Sequence, residues 1–199
     1  MPVRAIKTTT ISILAVGLLA GSAVGVAAQD EEAAAEPPVP VRVTGSIEAG
    51  GGFDFGTVEV TQDDERGVEE RRGSFWDDPI ALDEPRLSGQ LRSTLNTDTY
   101  GGQDLGGDGS VVTARTELVN DGGTWTGTLR GYSYPHMDEG FPQRDLIWHI
   151  ELTGTGAYEG NSALLYAQGS LNDGLLEVDG LVFPGELPGY PDTVELPAE

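Results

Sequence analysis

The sequence predicts an all-β domain, an antiparallel and eight-stranded up-and-down β-barrel, with a β-sandwich as the alternative. Apolar and polar residues alternate with a period of two, and turn signals rich in Gly, Asn and Asp recur at intervals of roughly 8–15 residues. Outside the N-terminal apolar run, no segment of helical period reaches about ten residues. We favour the barrel because consecutive hairpins give up-and-down order and closure removes exposed strand edges.

The first predicted strands lie in the N-terminal half of the domain. The alternation starts at residues 41–44 and continues through 53–55 and 57–61. The polar segment 62–67 (QDDERG) predicts a turn, and residues 68–75 predict the strand that returns from it. One face of the next strand should carry Leu87, Gly89, Leu91, Ser93 and Leu95.

The second half predicts two further hairpins. Residues 111–119 form a strand that runs into 120–123 (NDGG), a strong hairpin signal because these residues accept a positive φ, and 124–132 return from it. The last pair of strands, 162–168 and 175–182, is joined through an Asn-Asp-Gly turn. Between the hairpins, residues 145–153 alternate again, with one face made of Leu146, Trp148, Ile150 and Leu152.

A glycine–aromatic–glycine pattern occurs twice, at 123–127 (GTWTG) and 156–160 (GAYEG). Each copy puts an aromatic residue midway between two glycines and next to predicted strands. We interpret the pattern as a construction device, in which bare backbone at glycine lets a neighbouring strand or ring approach closely.

The second copy carries a family resemblance. Residues 155–160 (TGAYEG), after a predicted strand and Gly154, are similar to the GTG-x-aromatic-x-G segment of dirigent and allene oxide cyclase-like barrels. That resemblance implies an eight-stranded antiparallel barrel with an apolar cavity, although residues 161–164 (NSAL) depart from the small-residue continuation of those proteins. The overall layout also resembles uncharacterised secreted bacterial β-barrel proteins.

The N-terminus predicts export. Residues 1–28 have the features of a signal peptide: Arg4 and Lys7, an apolar run at 11–20 and a cleavage-type site after Ala28. The alternative is an uncleaved anchor, since 8–28 could just cross a bilayer. We expect a secreted or cell-envelope location in a bacterium, with no membrane span after cleavage.

The remaining chain divides into three predicted parts. Residues 29–40 form an acidic, Pro- and Ala-rich spacer, 41–183 the β-barrel domain, and 184–199 a Pro-rich tail. The chain has no cysteine, so disulfides, thiolate metal sites and cysteine nucleophiles are excluded.

The charge balance limits the partners. Loss of Arg4 and Lys7 with the signal leaves 9 basic against 33 acidic residues, a net charge of −24, and no lysine. So acidic a surface repels phosphate backbones, and we expect no nucleic-acid partner.

Candidate catalytic residues are few. Only two histidines exist, and His149 lies two residues before Glu151 on one strand face, which could make an acid–base pair. The other interpretation is that His149 is an ordinary polar residue on the face opposite Trp148.

A calcium site is the one cofactor that the sequence suggests; we expect no other. Asp98, Asp104 and Asp108 lie in the glycine-rich segment 97–110, where flexible backbone and oxygen ligands could surround a hard cation. A long hairpin loop without metal is the alternative, because the spacing is not that of an EF-hand.

The aromatic residues Trp125, Trp148 and Tyr158 are candidate ligand contacts. They would line a cavity if the barrel encloses one, but side chains can fill an eight-stranded barrel completely.

The sequence thus favours a secreted, non-catalytic binding or cell-envelope interaction module, with a small apolar ligand as the expected partner. The alternative is a cyclase- or isomerase-type enzyme with its active site at the barrel mouth. Neither the ligand nor the oligomeric state follows from the sequence.

Overall fold

A computed structural model describes residues 39–50, 53–54, 58–101, 108–138 and 141–189. These residues form an all-β structure of ten antiparallel strands and two short 3₁₀ turns. The strands are β1 (Val41–Glu48), β2 (Phe53–Asp54), β3 (Glu59–Asp63), β4 (Val68–Leu82), β5 (Gly89–Tyr100), β6 (Gly109–Asn120), β7 (Gly123–Asp138), β8 (Phe141–Thr155), β9 (Asn161–Ser170) and β10 (Leu175–Pro184). The predicted signal peptide, most of the spacer and the end of the tail lie outside the described residues.

Eight of the strands form a closed, barrel-like ring of hydrogen bonds in up-and-down order. Strands β4 to β10 pair with their neighbours in sequence, and β1 pairs with β10 over its whole length. The ring closes where Gly45, Ser46 and Ile47 of β1 pair with the end of β4. The predicted eight-stranded antiparallel topology is therefore confirmed.

Strand β4 has a divided outer edge. It pairs in succession with β3, β2 and β1 along that edge, and with β5 along the other. Pro79 lies between the stretches paired with β2 and β1, and Pro135 of β7 lies beyond the last residue paired with β6, Ser133. Among the described strands, both prolines thus occupy places where one side of the strand has no ladder partner, which is where a strand tolerates proline.

Several strands are longer than the sequence predicted. Strand β7 has 16 residues and β8 has 15, and their pairing continues to Asp138 opposite Phe141. The alternation of apolar residues stops well before this point, because the outer part of the hairpin has no core to cover.

Inward-facing side chains fill the ring. Trp125, Leu152 and Leu176 have no exposed surface, and Trp148 is 2 % exposed. Together with the other inward apolar residues they form one continuous cluster. The ring therefore encloses a packed core, as the alternation predicted.

One end of the ring is sealed by a hydrogen-bonded plug. The 3₁₀ turn Pro85–Leu87 lays fully buried Leu87 across this end. Trp125 Nε1 and Asn120 Nδ2 both donate to the Arg86 carbonyl, at 2.7 and 3.0 Å. Asn120 Oδ1 accepts from the Tyr158 hydroxyl at 2.7 Å.

The two glycine–aromatic–glycine segments meet at this plug but use glycine differently. Their rings, Trp125 and Tyr158, stack with centroids 5.3 Å apart. A Cβ at Gly127 would lie 1.8 Å from the Glu151 carbonyl oxygen, so this glycine permits close strand approach. Gly156 and Gly160 have open space around them and φ of +60° and +81°, so they serve the turn instead. The predicted role of bare backbone holds for the first copy only.

Within the described part of the chain, no helix is long and apolar enough to cross a membrane.

Candidate functional site

The candidate acid–base pair lies outside the ring. His149 and Glu151 both point outward from β8, and no hydrogen bond joins them among the described residues. The His149 ring instead meets the Tyr166 ring edge-on, with centroids 5.1 Å apart. The structure places these residues on one surface without giving them the contact of a catalytic pair.

The three candidate aromatic ligand contacts are buried. Trp125 and Tyr158 belong to the plug, and Trp148 packs against Trp76 with ring centroids 5.6 Å apart. A ligand could reach these rings only by displacing core side chains. Their positions match the alternative of a barrel filled by its own residues.

The candidate calcium ligands are only partly described. Asp98 makes an ion pair with Arg72 at 2.6 Å, and the Asp108 amide bonds the Tyr100 carbonyl. Asp104 lies outside the described residues. Among the residues that the structure describes, no group of three or more His, Asp or Glu side chains could hold a metal ion.

A polar group lies inside the ring at the end away from the plug. Arg144 donates to Ser133 Oγ at 2.6 Å and to Ser110 Oγ at 3.2 Å, and burial lowers its pKa. The buried carboxylate of Asp78 accepts from the Gly50 amide at 3.0 Å. Among the residues that the structure describes, the buried Trp148 indole N–H has no hydrogen-bond partner, which is a rare and costly condition.

A concavity lies on the outer face of β7 to β10. It measures about 560 Å³ and contains the side chains of Tyr134, His136, Gln143, Asp145, Gln168 and Glu177. We call it, with its extensions described next, the outer trough.

Cross-strand pairing explains the shape of the outer trough. One row runs from Tyr134 through Asp145 and Ser170 to Leu175. Paired residues point to the same side of a sheet, so outward residues of the central strands β8 and β9 form the floor, and outward residues of β7 and β10 form the walls. With strands about 4.8 Å apart, the floor and walls together span roughly 14 Å.

Two further concavities extend the outer trough along the strands. One, of about 380 Å³, shares Gln168 and Glu177 with the first. The other, of about 400 Å³, shares Tyr166 and Asp179 with the second and contains His149 and Glu151. From Ser170 to Leu164 on β9, the outer trough is about 20 Å long at 3.3 Å per residue. Its shape suits an elongated ligand.

Tyrosines of β7 form an exposed platform at one wall, where Tyr134 lines the outer trough and Tyr132 lies next to it, outside the lining. Tyr132 and Tyr134 are 46 % and 41 % exposed, and their rings stack with centroids 6.2 Å apart. The negative charge of Asp145 raises the pKa of Tyr134.

Two glutamine side chains are held in one orientation in the outer trough. Gln143 Oε1 accepts from Ser170 Oγ, and Gln168 Oε1 accepts from the Tyr166 hydroxyl, each at 3.1 Å. These bonds occupy the amide oxygens and leave the NH₂ groups as donors for a ligand.

Carboxylates supply acceptors beside these amides. Asp145 Oδ2 lies 3.3 Å from His136 Nδ1, an ion-pair contact without hydrogen-bond alignment. Asp179 is paired with Arg42, and this pairing lowers its pKa. Glu177 is exposed, and no ion pair involves it among the described residues.

Sequence reasoning missed the tyrosine platform. The predicted strand 124–132 ended before Tyr134 and the polar segment around His136, because apolar alternation was its only criterion. The spacing from Trp125 could have revealed it. Tyr132 and Tyr134 are an odd number of residues from Trp125, so in a continuing strand their side chains point to the opposite side of the sheet.

Comparisons of the chain with family models, with curated proteins and with solved structures found no match. The likeness to dirigent and allene oxide cyclase-like barrels therefore stays a resemblance in sequence pattern.

Proposed function

We propose that this protein is a non-catalytic binding module that acts outside the cell, in the medium or at the cell envelope. The observation that carries the proposal is the contrast between a filled ring interior and a continuous outer trough lined by exposed tyrosines and oriented amides. Concave surfaces with aromatic walls and a few fixed polar groups are typical of ligand sites. The signal-peptide pattern at residues 1–28 supports the extracellular location.

The outer trough supports binding rather than chemistry. A general acid–base mechanism needs two titratable groups held within reach of one reacting atom. His149 and Glu151 lie side by side on β8 without a shared hydrogen bond, and the His136–Asp145 contact is not aligned as one.

A small apolar ligand inside the ring remains a prediction with less support. Such a ligand would compete with Trp125, Trp148 and Leu129, each at most 2 % exposed. Native mass spectrometry of protein from its own culture medium tests this version, since a retained small molecule would add a discrete mass. A retained small molecule would place the binding site inside the ring and not in the outer trough.

The enzyme alternative has one observation in its favour. Asp78 and Arg144 place charged groups at inward positions of the ring, and the inward Trp148 indole N–H has no hydrogen-bond partner among the described residues. Polar groups in such a place could steer a reactive intermediate at the barrel mouth.

Cosedimentation with isolated cell envelopes tests the binding proposal. Wild-type protein should sediment with the envelopes, whereas the double variant Tyr132→Ala, Tyr134→Ala should stay in the supernatant. The matched control is Tyr100→Ala, which removes a 39 % exposed tyrosine of β5 that lies outside the outer trough. Equal sedimentation of all three proteins would contradict the proposal.

N-terminal sequencing of the exported protein tests the predicted location. We expect Gln29 to be the first residue.

A further inference from the structure

We infer that the ligand of the outer trough is an uncharged polysaccharide chain, an inference that rests on the proposed binding function. Three properties of the outer trough lead to it: its length, the pairing of aromatic rings with fixed amides, and the sign of its charge.

The chemistry of the walls matches the two sides of a sugar ring. A pyranose has a face of C–H groups and a rim of hydroxyls. The Tyr132–Tyr134 platform offers flat apolar surface to the C–H face. The free NH₂ groups of Gln143 and Gln168 can donate to hydroxyl oxygens, and the Asp145 carboxylate can accept from hydroxyl groups.

The length of the outer trough points to a chain rather than to a single sugar. About 20 Å of floor along β9 accommodates several sugar units in a row. Aromatic rings lie at two places along the outer trough. Tyr134 is near one end, and Tyr166 and His149 are further along. An extended chain would contact them in succession.

The charge of the outer trough excludes acidic polysaccharides. Glu177 lines it without an ion pair among the described residues, and the whole chain carries a net charge of −22. A polymer of uronic acids or phosphodiesters would approach a protein of like charge.

A basic peptide is the competing occupant, and two observations count against it. Asp179 is already neutralised by Arg42, and Asp145 lies beside His136. The ring is closed at the outer trough, so a peptide laid on this face finds no free strand edge for its backbone groups. Negative charge is also spread over the whole protein and does not single out this face.

Affinity electrophoresis tests the inference, because an acidic protein migrates readily in native gels. The gels contain one polymer each: hydroxyethyl cellulose, glycol chitin, xyloglucan, galactomannan or amylopectin as uncharged probes, and polygalacturonate as the acidic probe. We expect at least one uncharged polymer, and not polygalacturonate, to retard the wild type and Tyr100→Ala. Binding to that polymer should be roughly tenfold weaker in Tyr134→Ala and abolished in Tyr132→Ala, Tyr134→Ala.

Three results would overturn the inference: no retardation by any uncharged polymer, equal retardation of wild type and double variant, or retardation by polygalacturonate alone. Titration with deca-arginine at 0.15 M salt distinguishes failure of the polysaccharide inference from failure of the proposed binding function. If the double variant loses deca-arginine binding while no uncharged polymer retards the wild type, the glycan inference fails and the binding function stands. If the double substitution changes no interaction, including sedimentation with envelopes, both fail.

Discussion

The two faces of strand β7 carry the same kind of side chain for opposite purposes. Trp125 points inward, has no exposed surface, and donates its indole N–H to the Arg86 carbonyl. Tyr132, seven residues later, points outward with 46 % of its surface exposed and stacks on Tyr134. The odd spacing puts the two residues on different sides of the sheet.

Aromatic content alone therefore does not identify a binding site. Inward aromatics have fixed neighbours on all sides, and their loss removes core volume. Outward aromatics in a concave surface have one face free, and their loss removes a possible ligand contact. We therefore expect substitutions on the inner face to change stability and substitutions in the outer trough to change binding.

The largest expected effect is that of Trp125→Ala. Removal of this side chain leaves a large cavity beside Leu87 and Tyr158 and deprives the Arg86 carbonyl of one of its two side-chain donors. We expect the free energy of unfolding to fall by about 3–5 kcal/mol in urea titration. A change below about 1 kcal/mol would show that the plug is not part of the cooperative core.

The second largest loss in the free energy of unfolding is expected for Asn120→Ala. Asn120 donates to the Arg86 and Ser88 carbonyls and accepts from Tyr158 Oη and the Gly122 and Gly123 amides. Because the substitution leaves several of these groups unpaired, we expect a loss of about 2–3 kcal/mol, measured in the same titration. Asn96→Ala is the matched control: its one described bond, from the Gly73 amide, is exposed, and it should cost less than about 1 kcal/mol. Equal costs for the two variants would contradict the network.

Asp83→Asn should give a smaller, pH-dependent effect. The Thr44 amide and hydroxyl donate to Asp83 at 2.9 and 3.0 Å and hold its pKa below the ordinary 3.8. A carboxylate with a lowered folded-state pKa stabilises the fold above its ordinary pKa, and this contribution is lost as the pH falls through the folded-state value. The wild type should therefore melt higher than the variant at pH 7, and the difference should shrink below pH 3.8. A difference that is constant down to about pH 2 would mean that the charge of Asp83 is not responsible.

The smallest expected effect on stability is that of Tyr132→Ala. An exposed side chain outside the core changes the free energy of unfolding by at most about 0.5 kcal/mol. Thermal melting should therefore overlay that of the wild type. A loss comparable to that of Trp125→Ala would erase the distinction between the two faces.

Much of the fold could be predicted from sequence, because the pleat forces alternation wherever one face is buried. Leu146, Trp148, Ile150 and Leu152 do share the inner face, and the Asn120–Gly123 hairpin forms with the predicted pairing. The outer trough could not be predicted in the same way. It brings Gln168 next to Ile147 and Glu177 across three strands, and such neighbours depend on register.

The long outer hairpin escaped prediction for a related reason. Pro135, His136 and Met137 carry no alternation, and a proline argues against a central strand. Only the pairing with β8 on one side explains why the strand continues there. The same segment supplies Tyr134 and His136 to the outer trough. The site was therefore missed because the end of strand β7 was missed.

The most direct test of the division between the faces is the urea unfolding midpoint with and without an uncharged polysaccharide that retards the wild type. Binding to the native state raises the midpoint, by an amount that grows with the logarithm of the ligand concentration relative to its dissociation constant. We predict that the double variant Tyr132→Ala, Tyr134→Ala has the wild-type midpoint without polysaccharide and gains nothing when it is added, whereas the wild type is stabilised. A double variant that is stabilised as strongly as the wild type would contradict the assignment of binding to the outer trough.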